Sequence, residues 1–282
     1  MNRLNLPDVT VCAVDCLNPM LAARALAHSS ALCDFADVIL LTDSEPSVSS
    51  PTRVVKIDRI GSSAEYSRFM LKELHRHIAT PWVLIVQWDG YVLQPRAWRP
   101  DFLDYDYIGP RWPWFEAPQD VGNGGFSLRS LRLLKLLARP DVPTFGDSAE
   151  DVVICRALRP ALEAAYGIRF APAEIADPFG YEHALPNAPT FGFHGAFNMW
   201  RHTSDADMIE LFRAMDRRTF ASREFAQLMF RYFELRKFDC MGALYTRIME
   251  TQEREHVIAK LGEAGVPPEL AAACLDMCAR AA

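Results

Sequence analysis

The run Val83-Leu84-Ile85-Val86 behind Trp82 is the feature that most narrows what this chain can fold into. It is too short for a helix and shows no alternation of apolar with polar residues, so it reads as a strand buried on both faces. Strands of that kind belong to parallel sheets covered by helices on either side. The run stops at Gln87-Trp88-Asp89-Gly90. An acidic side chain therefore stands at the carboxyl end of a strand, where open α/β sheets bind ligands.

The preceding residues repeat the pattern. Residues 9–14, 37–42 and 53–57 read as strands, and Asn18-Pro19 opens a helix over 20–28 with proline in its first turn. Residues 64–78 carry Tyr66, Phe69, Met70, Leu74 and Ile78 at helical spacing, a helix that packs one face on the sheet before the 82–86 strand. The expected fold class is α/β with a mostly parallel central sheet. Asp15 and Asp43 follow strand ends, where they could hold a nucleotide or simply open turns.

Beyond the central strand lie residues 91–93, a polar turn, and 102–108 with its Asp-Tyr pairs. The loop Arg111-Trp112-Pro113-Trp114-Phe115 offers aromatic rings that either stack on sugar faces or cover the sheet edge. In Val121-Gly122-Asn123-Gly124-Gly125-Phe126-Ser127-Leu128-Arg129, three glycines let the backbone approach a neighbour closely, and the residues after them alternate like a strand. The spacing is not that of a P-loop or a dinucleotide fingerprint. Residues 130–137 read as a helix, and Ala149-Glu150-Asp151 opens another running to about residue 158, its carboxylates suited to the helix dipole. Phe191-Gly192-Phe193-His194-Gly195 sets a histidine among small and apolar residues, where packing is its plain role.

From about residue 201 strand-like runs vanish and helical periodicity takes over, so residues 1–200 are expected as the α/β domain and 201–282 as a small helical appendage. Its Phe225, Phe230, Tyr232, Phe233 and Phe238 read as a core seam against the α/β domain or as an interaction surface, self-association through these helices included; Arg231, Arg236 and Lys237 read as a solvated face. At 50% hydrophobic and 23% charged residues the chain can bury a substantial core. A net charge of -6 with no local Lys/Arg run argues against nucleic acid as a partner. No apolar run approaches the roughly 20 residues of a membrane helix, and the first eight residues lack a leader's pattern, so a cytoplasmic location is expected. Seven cysteines, an odd number, are expected to be reduced. Cys12 and Cys16, like Cys274 and Cys278, would share a face if helical, and all read as small buried hydrophobes.

In chain order, Asp89 after the central strand, Gly124-Gly125 in a turn, Glu150-Asp151 at a helix start and His194 late in the domain resemble the nucleotide-sugar glycosyltransferases of the GT-A type. In detail, Gln87-Trp88-Asp89-Gly90, the segment from Gly122 to Arg129, Glu150-Asp151 and the segment around His194 resemble a bacterial and plant glycosyltransferase-like family. That family is defined only as a domain of unknown function, with a signature close to Val-Gly-Asn-Gly-Gly-Phe-Ser-Leu-Arg. The β-1,4-galactosyltransferases are more distantly similar. The likeness covers roughly residues 9–200.

The resemblance implies a GT-A three-layer α/β/α sandwich and the transfer of a sugar from a nucleotide diphosphate sugar, a UDP-sugar being the expected donor, to a carbohydrate or other hydroxyl acceptor. By the same likeness Asp89 and His194 hold a divalent cation, Mn²⁺ with Mg²⁺ as the other candidate, although Gln87 and Trp88 stand where a second carboxylate is usual. Asp151 is implied as the base and Glu150 as a partner of the acceptor, and Gly124-Gly125 as the turn that passes close to the donor sugar; Asn123 in that turn and Asp43 by its strand-end position are expected on the donor side, and the loop rings of Trp112 and Trp114 on the acceptor side. One base with no positioned nucleophile implies inversion. The missing carboxylate motivates a rival reading, a protein that keeps the fold and binds a nucleotide sugar or carbohydrate without turnover. A third reading is an interaction scaffold working through the helical tail.

Overall fold

Leu4–Val14 (β1) is the longest strand and the axis of a six-stranded sheet. The computed structural model describes residues 3–144, 146 and 148–282. After β1 come Pro19–Leu32 (α1), Cys33–Thr42 (β2), Arg53–Lys56 (β3), Ser63–Lys72 (α2), Trp82–Ile85 (β4), Tyr107–Ile108 (β5) and Ser127–Ser130 (β6). The strand order is β3-β2-β1-β4-β6-β5. The first four are parallel, while β6 runs antiparallel to both β4 and β5, with Ile85 opposite Ser127. This is an α/β protein with a mostly parallel sheet, in an order compatible with a Rossmann-like fold.

The two faces of the sheet are filled by alternate residues of the same strands. Leu84 and Val86 join Val11, Ala13, Leu40, Phe126 and Leu128 against Ala22 and Leu26 of α1. Val83 and Ile85 join Cys12, Val14 and Leu41 against Met70, Leu74 and Ile78. All four residues of the 83–86 run are fully buried, each side chain contributing about 1.5–3 kcal/mol of apolar burial.

Several boundaries differ from the sequence reading. Strand β1 begins at Leu4 rather than residue 9; Pro7 and Asp8 hide it, and its pairing with β2 slips between Leu6 and Thr10. The expected helix 64–78 ends at Lys72 and continues as a 3₁₀ turn, Leu74–His77. The segment 102–108, left unassigned by its sequence, ends a 3₁₀ turn, Pro100–Asp104, and then enters the sheet as Tyr107–Ile108. Cys12 sits in β1, so Cys12 and Cys16 share no helix face.

The chain then forms Leu131–Leu137 (α3), capped by the Ser130 hydroxyl accepting from Leu133 N–H, the single turn Glu150–Val152 (α4), which widens into a π-type turn over Val153–Ala157, and Arg159–Tyr166 (α5). Ala173–Phe179 (α6) leads to Gly180–Tyr181 (β7), which pairs in parallel with Gly192–Phe193 (β8). Two compact units result, Met1–His194 and Gly195–Ala282, where the change of periodicity had placed the boundary at 200/201.

The second unit holds Asp205–Ala214 (α7), Arg223–Glu234 (α8), Phe238–Met249 (α9), Arg254–Glu263 (α10) and Pro268–Ala281 (α11). Phe225 and Tyr232 are buried and meet Phe212 edge-on, so they build this unit's own core, while Phe238 is exposed. Cys274 and Cys278 lie 3.9 Å apart, buried on α11, and the seven cysteines are all free. No helix among the described residues is long and apolar enough to cross a membrane.

Candidate functional site at the carboxyl end of β4

Strand β4 ends in a tight turn in which Gln87 and Gly90 exchange N–H to carbonyl bonds of 3.0 Å. The turn carries Asp89, 5% exposed, at the place where the strand order reverses between β1 and β4. Asp15, past the end of β1, accepts N–H bonds from Leu17 (2.7 Å) and Asn18 (2.6 Å) and so closes the turn that follows the strand. Burial pushes its carboxyl up, those bonds oppose this, and the nearby charge of Asp89 adds to it.

The glycine turn is held by Asn123, which adopts φ +62°. Its Oδ1 accepts from the N–H groups of Gly125 (3.1 Å) and Phe126 (3.3 Å), the local bonding that lets asparagine occupy the left-handed region, and its carbonyl accepts from the Tyr107 hydroxyl (2.8 Å). Gly124 is required by crowding. A Cβ there would lie 2.2 Å from Glu150 Oε1 and 3.1 Å from Arg129 Nη2.

The start of α4 closes against this turn. Asp151 Oδ2 accepts the Gly124 N–H at 2.8 Å and Oδ1 accepts that of Val152 at 2.7 Å. Glu150 is buried and pairs with the wholly buried Arg129 at 2.9 Å. Burial and then the charge of Glu150 lift the Asp151 carboxyl to about 6, against the two N–H bonds and the Arg129 charge, which pull it down.

The fourth segment comes from β7 and β8. His194 N–H donates to the Tyr181 carbonyl (2.9 Å), which sets the ring between Glu182 and the β4 turn. His194 Nδ1 lies 2.8 Å from Glu182 Oε1 and 3.1 Å from Asn123 Nδ2. Nε2 faces Gln87 Oε1 at 3.1 Å and Asp89 Oδ1 at 3.6 Å. Burial raises the Glu182 carboxyl, but the hydrogen bond and charge of His194, followed by His183 and Asn123, outweigh it and hold the group below its ordinary value.

Asp89, Asn123, Gly124, Gly125, Glu150, Asp151 and His194 are thus brought into one cluster from four separated segments. Asp43 stands apart, with Arg59 at 3.9 Å and Cys16 as its neighbours. Trp112 corrects the expectation of a stacking ring. It is 5% exposed, packs with Tyr107, Val153 and Ile154, and lies across Gly122, where a Cβ would stand 2.1 Å from the indole. Trp114 is 55% exposed and meets His183 edge-on. Sequence reasoning missed Glu182, a lone acid in a loop, and Tyr66, whose hydroxyl lies 3.0 Å from Gln87 Nε2 but whose position reads only as an apolar helix face.

Two oxygen atoms converging on His194 Nε2 are satisfied either by a proton on that nitrogen or by a cation between them, and Glu182 on Nδ1 is the partner that orients a metal-binding imidazole. Among the described residues no group of three or more His, Cys, Asp and Glu side chains is disposed to hold a metal.

Fold and site together define an α/β protein whose mostly parallel sheet carries a buried cluster of carboxylates, one histidine and a glycine turn at the carboxyl end of its central strand. The family model described as "Protein of unknown function (DUF5672)" matches residues 50–194, just over half of the chain, and the chain belongs to that family. That span contains every member of the cluster. No curated protein matches the sequence.

Proposed function

We propose that this protein is a glycosyltransferase of the GT-A type that moves a sugar from a nucleotide diphosphate sugar to an acceptor hydroxyl. The observation that carries the reading is the convergence of Asp89, the Asn123–Gly125 turn, Glu150-Asp151 and His194, which span more than a hundred residues of sequence, at the strand ends where α/β sheets bind nucleotides.

Asp151 is the base. A carboxyl that loses its proton near pH 6 is ionised at neutral pH yet is a stronger base than an ordinary carboxylate. Its oxygens are held by Gly124 and Val152, so it is positioned before substrate arrives. It takes the acceptor's hydroxyl proton while that oxygen bonds to the anomeric carbon. The bond from this carbon to the diphosphate oxygen breaks, and its electron pair leaves with the nucleotide diphosphate. A single displacement of this kind inverts the anomeric centre. Asp89 and His194 would hold a divalent cation, Mn²⁺ by their mixed carboxylate and imidazole donors, and such an ion stabilises negative charge on a leaving diphosphate. Trp114 offers the acceptor an exposed ring face. UDP is the expected nucleotide.

The test is a thermal-shift screen of nucleotide sugars with and without Mn²⁺, followed by assay of nucleotide diphosphate release. Stabilisation and metal-dependent release support the reading. Binding without release under any acceptor supports the non-catalytic alternative, and no binding at all overturns both.

A further inference from the structure

Arg129 makes an unusual set of contacts for a strand residue. Its side chain has no exposure, and its charge is balanced within the fold by Glu150 at 2.9 Å. Nε donates to Ser127 Oγ (3.0 Å), Nη2 donates also to the Gly124 carbonyl (3.3 Å), and the guanidinium lies over the Tyr107 ring at 5.3 Å. Ser127 Oγ in turn donates to the same Gly124 carbonyl (3.1 Å). Gly124 is therefore gripped at its carbonyl oxygen by β6, while its N–H, in the preceding peptide unit, donates to Asp151. Burying an arginine is costly unless its donors are met, and a plain apolar residue would fill this core position with less loss.

We propose that Arg129 is a positioning residue: it clamps the Gly124 carbonyl and the Glu150 carboxylate in one frame, and this frame sets where Asp151 sits and what electrostatic field it feels. The inference rests on Asp151 being the base of the site, but its structural content stands without a substrate. Facing Asp151 are Glu150 and Cys155 from its own turn and its continuation, Arg129 from β6 and Tyr107 from β5, while Tyr66 of α2 faces Glu150 and Arg129 behind it. Arg129 supplies the positive charge among these groups. It offsets the Glu150 charge that would otherwise drive Asp151 further up.

The experiment follows the carboxyl carbon of Asp151 by NMR across a pH series, together with hydrogen exchange of the Gly124 amide, in the full chain and two variants. Arg129→Lys keeps a charge but cannot grip two groups at once. Its Asp151 midpoint is expected to move up by about 1 pH unit or more, with faster Gly124 exchange. Arg129→Met/Glu150→Gln removes both charges together and so avoids leaving one buried alone. Its midpoint is expected to return towards the parent's while Gly124 still exchanges faster than in the parent. Parent-like Gly124 exchange in the folded double variant overturns the proposal, as does a parent-like Asp151 midpoint in Arg129→Lys. Because neither readout needs turnover, an absence of glycosyl transfer would sink the function proposed above and leave this assignment intact. In a transfer assay the acidic limb of the rate profile should follow the Asp151 midpoint.

Discussion

The ring of His194 occupies the space where a side chain on Gly125 would begin: a Cβ there would lie 1.9 Å from Nε2. Neither backbone nor ring can yield without disturbing the other, since Gly125 N–H is bound to Asn123 Oδ1 and His194 Nδ1 donates to Glu182. Glycine at this position is thus a condition for the histidine's placement.

Gly125→Ala is accordingly expected to swing His194 out of the cluster. Stability should fall by about 1–3 kcal/mol in urea unfolding, as for other insertions into filled space, and Mn²⁺-dependent binding of a nucleotide sugar should be lost. A variant that binds as the parent does would show that the ring has another home.

Asp89→Asn should weaken Mn²⁺-dependent donor binding while leaving the fold intact, and His194→Ala should do the same less severely. Calorimetric titration with and without Mn²⁺ reads both. Should both variants retain metal-dependent affinity, a proton rather than a cation sits between Asp89 and His194.

For Asp151 the sign of the pH effect can be worked out. The folded protein releases this proton near pH 6 and an unperturbed aspartate does so near 3.8, so between those values the folded state holds more proton than the unfolded chain. The stability contributed is fully present below about pH 4 and is lost as pH rises through 6, a change of at most about 3 kcal/mol. Urea unfolding over pH 4–8 should therefore show a decline that Asp151→Asn lacks. The same variant should transfer sugar about 10²–10⁴ times more slowly with donor affinity preserved, and transfer at the parent rate would remove Asp151 from the role of base.

The two tryptophans of the 111–115 loop should part company. Trp112→Ala opens a cavity beside Tyr107 and Ile154 and is expected to cost about 3–5 kcal/mol. Trp114→Ala should change stability by about 0.5 kcal/mol or less and act, if at all, on the acceptor's KM. Equal losses of stability in both would contradict the exposure seen for Trp114.

What was legible in the sequence was whatever left a local signature. The 83–86 run announces a doubly covered strand, and the glycines announce a crowded turn, because both are constraints between near neighbours. Glu182 left none, since its partner is twelve residues away and fixed only when Gly180–Tyr181 pairs with Gly192–Phe193. Arg129 misled in a different way. Alternation after Phe126 assigns it and Ser127 to a polar face, yet both faces of this sheet are covered and the residue is wholly buried. Trp112 was ambiguous for the same reason: an aromatic in a loop cannot declare from sequence whether a glycine lies beneath it.

Strand β6 enters the sheet reversed relative to β4. In a wholly parallel sheet the loop that precedes a strand opens at the far edge from the loops that follow strands, about 13 Å away for a strand of four residues. Reversal turns that rule round. Asn123, Gly124 and Gly125, which precede their strand, come to lie beside Gln87 and Asp89, which follow theirs. One inverted strand therefore lets a leading and a trailing segment meet in a single cluster, and a circular rearrangement or insertion that restored the parallel direction would dismantle the site while leaving every one of its residues in the chain.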